Sequence, residues 1–260
     1  MKRASLGLIH GFSGTPKTWD GVLASLSNQL GRNEFSLDVR RPVIFGHEGS
    51  DPGVLKRSFD EEAERLLDRI TSGLPDKRID LLCGYSLGGR LALSAALNYP
   101  QRILRLVLIG THPGLDDKTL RDERRQSDKG WIDLIEKKGV DAFVDAWEAL
   151  PLFSDPATDE GAYIQRHRQA RRAHSGRGLI AALKNLGLAE MPPASKRLGR
   201  LTMPVRLVVG DRDQKFQSIA NALLLRLPRA RLDLIPNCAH DVPIAAFDKL
   251  ATLLAEELRA

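Results

Sequence analysis

Aromatic residues make up only 5% of the 260-residue chain, cysteine occurs twice, and no apolar run approaches the roughly 20 residues a membrane-spanning helix needs. No insertion into a membrane is therefore expected. The few aromatics are not interleaved with basic residues. A net charge of +6 and a pI near 9.5 would admit nucleic acid as a partner, but the pattern speaks against it. Cys83 and Cys238 sit in apolar surroundings and read as small core residues, which points to a reducing, cytoplasmic location. The basic start Met1-Lys2-Arg3 leads into an apolar stretch that ends at His10-Gly11, without a signal-peptide core or cleavage site. There is no internal repeat and no low-complexity linker. Neither a metal nor a cofactor is expected, and the chain should be a monomer or a small homo-oligomer. What remains, 42% hydrophobic and 28% charged residues, suits one sizeable domain or one domain carrying an insertion.

The chain is organised around Leu81-Leu82-Cys83-Gly84-Tyr85-Ser86-Leu87-Gly88-Gly89-Arg90. It reads as an apolar strand, a tight turn and the start of a helix that continues through Leu91–Leu97. Gly84 to Gly88 fit G-x-S-x-G, the nucleophile elbow of α/β-hydrolases. Small neighbours are needed because the serine occupies a strained turn that holds its hydroxyl clear of the backbone. The next N–H, that of Leu87, points to where an oxyanion would sit at a helix N-terminus. Upstream, the strand Leu6–Ile9 runs into the glycine-rich loop His10-Gly11-Phe12-Ser13-Gly14, which by position offers Phe12 N–H as a second oxyanion donor.

The other elements alternate as an α/β chain should. Helices are expected at Thr18–Leu30 and Ser58–Ile70, the latter with a capping box between Ser58 and Glu61. A weak strand is expected at Asn33–Val39 and buried ones at Ile79–Cys83, Ile103–Ile109, Met203–Gly210 and Arg231–Ile235. Helices follow at Ser218–Leu227 and Phe247–Leu258. The fold class is α/β: a mostly parallel sheet with helices on both faces. Between residues 113 and 198 strand signals vanish. Helical segments at Asp117–Ser127, Trp131–Lys137, Val140–Leu150, Asp159–Ala173 and Gly178–Leu186 read as an inserted helical lid, leaving 1–112 and 199–260 as the core. Arginines cluster there at Arg121, Arg124 and Arg125 and again from Arg166 to Arg177. Most of them are expected on solvated helix faces. His47, in a loop similar to P-G-H-G-x-S but altered at Phe45 and Glu48, is expected to be a hydrogen-bonded structural residue.

Ser86, Asp213 and His240 fall at carboxyl ends of strands in the order nucleophile, acid, histidine that α/β-hydrolases use. A serine hydroxyl needs a base to take its proton, and the imidazole needs a carboxylate to fix its tautomer and stabilise its cation. Asp211 competes for the acid role. Asp213 is preferred because the acid sits a few residues beyond the strand end.

The matches extend beyond the triad. His10-Gly11-Phe12-Ser13-Gly14, Gly84 to Arg90, His112-Pro113-Gly114-Leu115, the run from Arg121 to Asp128, Trp131, Trp147 and Gly210-x-Arg212-Asp213-x-Lys215-Phe216 together span most of the chain. In this order they resemble the 2-succinyl-6-hydroxy-2,4-cyclohexadiene-1-carboxylate (SHCHC) synthases of menaquinone biosynthesis. The resemblance implies a lyase. Its substrate would be a cyclohexene bearing carboxylate, succinyl and enolpyruvyl groups, from which pyruvate is expelled after proton removal. It implies Ser86, activated by His240, as the base, Asp213 orienting His240, and the N–H groups of Phe12 and Leu87 as the oxyanion hole. It places substrate-binding arginines at Arg90 and Arg124 and a third at Arg171 or Arg172, with Tyr85, Trp147 and Lys215 lining the pocket. The chemistry fits, since guanidinium groups bind carboxylates through paired hydrogen bonds. The alternative is a carboxylesterase-type serine hydrolase of a small ester.

Overall fold

The computed structural model describes residues 2–31, 35–47, 56–153 and 162–260, with residues 162 and 163 described by their backbone alone. Six strands form one sheet in the order β2-β1-β3-β4-β5-β6, every neighbouring pair parallel. They are β1 (Lys2–Ile9), β2 (Phe35–Arg40), β3 (Leu81–Tyr85), β4 (Leu106–Ile109), β5 (Val205–Gly210) and β6 (Ala230–Ile235). From β1 the chain steps outward to β2, then returns to β3 on the other side. The carboxyl ends of β1 and β3 therefore meet at the point where the strand order reverses, the place where open α/β sheets bind ligands. Ile9 pairs with Gly84, so the loop after β1 and the turn after β3 leave the sheet side by side.

Side-chain alternation feeds two cores. Leu6, Leu8, Leu81 and Cys83 point to the face covered by α1 (Asp20–Leu30) and α9 (Phe247–Arg259). Ile9, Leu82 and Leu106 point to the face covered by α2 (Phe59–Thr71), α3 (Leu87–Asn98) and α7 (Gln214–Leu224). Between β4 and β5 the described residues contain helices only: α4 (Lys118–Glu148), α5 (Ala162–Arg172), α6 (Gly176–Leu186) and short 3-10 turns. A third, smaller core of Ile132, Ile135, Phe143, Val144, Leu179 and Leu183 joins α4 to α6, and Phe12 packs against it. A short helix α8 (Val242–Ala245) precedes α9. Among the described residues no helix is long and apolar enough to cross a membrane.

Several boundaries differ from expectation. Of the two breaks expected between Asp117 and Leu150, the one before Val140 is present at Gly139, where φ is +82°, while the one before Trp131 is absent and the first part of α4 runs straight through it. Ion pairs from Arg124 to Asp128 and from Lys129 to Asp133 carry the helix through Gly130. The first turn of the helix expected from Thr18 is a 3-10 turn, Pro16–Trp19, capped by Thr15. The strand expected from Ile103 starts at Leu106, Ile103 making only an isolated bridge to Ile79. The helix expected from Ser218 starts at Gln214, because Asp213 caps it by accepting from Phe216 N. Asn33, the Glu48–Ser50 part of the His47 loop and residues 159–161 of the expected lid helix lie outside the described residues.

The capping box of α2 is present in both directions, with Ser58 N donating to Glu61 Oε2 at 2.7 Å and Glu61 N to Ser58 Oγ at 3.3 Å. Ser58→Ala should cost about 1 kcal/mol of folding free energy. Urea unfolding curves of the two proteins check this, the midpoint falling with an unchanged slope.

Candidate active site

The elbow forms because β3 must pass directly into α3. Ser86 has φ +52° and ψ −109°, a conformation costly for a residue with a side chain, and it holds the hydroxyl at the sheet's carboxyl edge. A Cβ on Gly84 would collide with the Gly88 carbonyl, and one on Gly88 with the carbonyls of Ile9 and His10. These two glycines let the turn close and let α3 start against the end of β1.

His240 reaches Ser86 from the loop after β6. Its Nδ1–H donates to Asp213 Oδ2 at 2.7 Å, which leaves Nε2 to accept from the Ser86 hydroxyl at 3.1 Å. Asp213 and His240 are both buried. The Phe216 ring lies 4.5 Å from the imidazole, centroid to centroid, and Phe153 6.0 Å. His240 N donates to Leu152 O at 3.2 Å, so the helical stretch also touches this loop. Gly110, at the end of β4 with φ +51°, leaves the space the ring needs, since a Cβ there would stand 2.6 Å from His240 Cε1. The competing carboxylate, Asp211, is exposed and accepts from Cys238 N instead. Such a relay can draw a proton from the serine and leave an alkoxide-like base or nucleophile.

The amides of Phe12 and Leu87 have no hydrogen-bond partner among the described residues. Leu87 begins α3, where no carbonyl precedes it in the helix. Both residues line the cavity at Ser86. The cavity is mainly apolar, with Trp147, Leu152, Phe153, Leu183 and Leu186 in its wall, and it also takes in Arg90, Arg124, Lys215 and His112. Arg90 is buried, and its Nη1 donates to Leu186 O at 3.1 Å. Burial and the neighbouring Arg124 lower its pKa to about 9. Arg124 donates from Nε to Asp128 at 2.9 Å, while burial raises the Asp128 carboxyl. Lys215 stands at the exposed rim without an ion pair among the described residues.

Three expected pocket residues lie elsewhere. Tyr85 is buried beneath the elbow and donates from its hydroxyl to Asp241. Arg171 donates to Glu148 at 2.8 Å and to Asp241 at 3.1 Å, and borders a separate cavity behind His240. The carboxylate that follows His240 in the sequence takes up its charge. Arg172 is exposed and pairs with Asp145 on the outer side of α4.

Sequence reasoning assigned no role to His112. Its Nδ1 accepts from Gly114 N at 3.0 Å, which puts the proton on Nε2. Burial, together with Arg90, Lys215 and Arg124, lowers its pKa to about 4, so it lines the cavity as a neutral donor. The His112-Pro113-Gly114 turn was the only available signal.

The alpha/beta hydrolase family matches residues 8–253. The chain is 33% identical over 239 residues to a putative SHCHC synthase of Bacillus subtilis (strain 168), which covers 91% of this chain and 83% of that one. It is 31% identical over 255 residues to the SHCHC synthase of Enterobacter sp. (strain 638), covering 98% and 91%. The chain belongs to the SHCHC synthase family of alpha/beta hydrolases. Among solved structures, MenH from S. aureus superposes with a TM-score of 0.87 at 29% identity, covering 98% of this chain and 93% of that one. A thermophilic esterase from Thermogutta terrifontis superposes with a TM-score of 0.76 at 23% identity, covering 98% and 89%, which is a likeness of fold.

Two outcomes are expected. Asp213→Asn should lower turnover roughly 10³-fold or more with folding intact, because an amide stabilises the wrong imidazole tautomer, while Asp211→Asn should change it by less than about threefold. Steady-state rates and circular dichroism of the two variants check this. The second concerns pH. His10, His112 and His167 have folded-state values near 4 against 6.5 when free. Between those values the unfolded chain binds protons that the folded chain refuses. Stability is therefore fully present above pH 6.5 and falls as the pH drops toward 4. Denaturant midpoints should decline in that window, and the His112 imidazole resonances should not titrate above about pH 5.

Proposed function

We propose that the chain eliminates pyruvate from 2-succinyl-5-enolpyruvyl-6-hydroxy-3-cyclohexene-1-carboxylate to give SHCHC, the product in the name its curated relatives carry. The observation that supports this most is the charge of the Ser86 cavity. Arg90, Arg124 and Lys215 line it, and Asp128 is the carboxylate beside them. A substrate with three carboxylates fits this surplus of positive charge, and a small neutral ester would leave it unanswered.

In this reading His240 takes the hydroxyl proton of Ser86, and the serine oxygen removes a ring proton adjacent to the succinyl ketone. The electron pair passes toward the ketone oxygen, where Phe12 N–H and Leu87 N–H meet the developing charge. The pair then returns to form a double bond between ring carbons C2 and C3, the existing C3–C4 double bond shifts to C4–C5, and the C5–oxygen bond to the enolpyruvyl group breaks. The enolpyruvyl group leaves as the enolate of pyruvate and takes up the proton. Asp213 holds His240 in the tautomer that accepts from serine and steadies its cation. Arg90 and Arg124 hold substrate carboxylates. Lys215, and His112 through Nε2–H, take the part the family resemblance gives to a third arginine. Trp147 and its apolar neighbours exclude water, and residues 113–198 act as the lid over the site. The substrate is the small anionic partner of this site. The buried thiols of Cys83 and Cys238 suit a reducing cytoplasm.

Steady-state kinetics with the cyclohexene substrate and with a neutral p-nitrophenyl ester test the reading. The wild type should release pyruvate. Arg90→Ala and Arg124→Ala should each lower kcat/KM for the anionic substrate by about 2–4 kcal/mol of transition-state stabilisation and change ester turnover by less than about threefold. Ester turnover without pyruvate release would replace the lyase with an esterase. Equal losses on both substrates would make the arginines supports of the fold.

A further inference from the structure

Three buried imidazoles stand in a row behind the loop after β1. The ring centroids of His10 and His47 are 5.1 Å apart, and those of His47 and His174 are 5.3 Å apart. None of them is among the residues that line the Ser86 cavity. Each holds a different peptide group of Gly11–Gly14. His10 Nδ1–H donates to Gly11 O at 2.8 Å, and its Nε2 accepts from Ile44 N at 3.3 Å. His47 Nε2 accepts from Ser13 N at 3.0 Å, and its Nδ1–H donates to Phe45 O at 3.2 Å. His174 Nε2–H donates to Ser13 O at 3.0 Å.

Peptide planarity turns these contacts into control over direction. The Phe12 N–H shares a trans peptide plane with Gly11 O, so anchoring that oxygen sets where the N–H points. The next plane is anchored through Ser13 N and the one after it through Ser13 O. Ser13 needs such anchoring, because its φ is +57° and its own buried hydroxyl has no partner among the described residues. His10 and His47 come from the α/β core. His174 comes from the helical stretch, one residue before Ser175, the N-cap of α6. Docking that stretch on the core is what brings the third imidazole to the loop.

We propose that His174 is a positioning residue for Phe12 N–H, so that seating the helical stretch on the sheet completes the oxyanion hole as well as covering the cavity. The proposal rests on the reading of Phe12 N–H as an oxyanion donor. It implies that the rate depends on one neutral donor in the helical stretch that never meets the substrate.

The test compares His174→Leu, which keeps bulk without a donor, with His174→Gln, which keeps a donor. Two readouts are taken. One is kcat and KM for the cyclohexene substrate. The other is the rate at which a neutral organophosphonate labels Ser86, followed by intact mass, which needs the oxyanion hole but not the lyase reaction. His174→Leu should lower kcat and the labelling rate about tenfold or more with KM within about threefold, and His174→Gln should recover most of both. The proposal is overturned by wild-type kcat and labelling in the leucine variant, by a rise in KM alone, or by a glutamine variant no better than leucine. Should the leucine variant not fold, His174→Asn, which keeps a donor but shortens its reach, is compared with His174→Gln on the same readouts. If the wild type is labelled at Ser86 yet releases no pyruvate, the lyase reading fails while the labelling contrast still decides the role of His174.

Discussion

The site depends on a contact that leaves no room for a side chain. Gly88, in the first turn of α3, lies against the carbonyls of Ile9 and His10 at the end of β1. Any Cβ would push α3 and β1 apart and, with them, the two amides of Phe12 and Leu87, residues that line the Ser86 cavity. Parallel pairing of Ile9 with Gly84 sets the same distance from the sheet side. The spacing of the two amides is thus fixed by backbone on backbone, the stiffest contact a fold can offer. Side chains then adjust direction within that frame.

Electrostatic tuning separates two kinds of basic group. In the cavity, the guanidinium groups of Arg90 and Arg124 stand close to apolar walls, with Asp128 as partial counterweight. Beside them in the cavity His112, and outside it His10, His47 and His174, are pushed toward the neutral form, chiefly by burial. Neutrality has a use at three of these positions, because His10 Nε2, His47 Nε2 and His112 Nδ1 accept backbone N–H groups and a protonated ring could not. Arg171 shows the opposite arrangement. Asp241 and Glu148 hold it firmly charged but already paired, beside the site and outside its cavity.

Elements whose cause is local were legible in the sequence. The apolar runs of β1, β3, β4 and β5, the Ser58–Glu61 capping box, the elbow glycines and the chain order of Ser86, Asp213 and His240 all follow from residue types at short spacing. The continuation of α4 through Gly130 was not, because a glycine inside an exposed helix costs about 1 kcal/mol and reads as a stop until the ion pairs on either side of Gly130 are known. The early start of α7 was hidden because Asp213 was read for its chemistry and not as a cap. Tyr85 and Arg171 were assigned to the pocket by resemblance, and nothing near them in sequence says that Asp241 would claim both. The row of histidines joins positions 10, 47 and 174, a proximity that only the folded chain creates.

Asp213 has two oxygens with two employers. Oδ1 caps α7 through Phe216 N, and Oδ2 holds His240. The first turn of a helix is where local opening is cheapest, well below the free energy of global unfolding. When that turn opens, the carboxylate is released and the imidazole loses its fixed tautomer, although the sheet and both cores remain intact. Heat or mild denaturant would then inactivate the protein before it melts, through a fluctuation a few residues long. Amide exchange at Phe216 would be the direct gauge of how often the site is out of order.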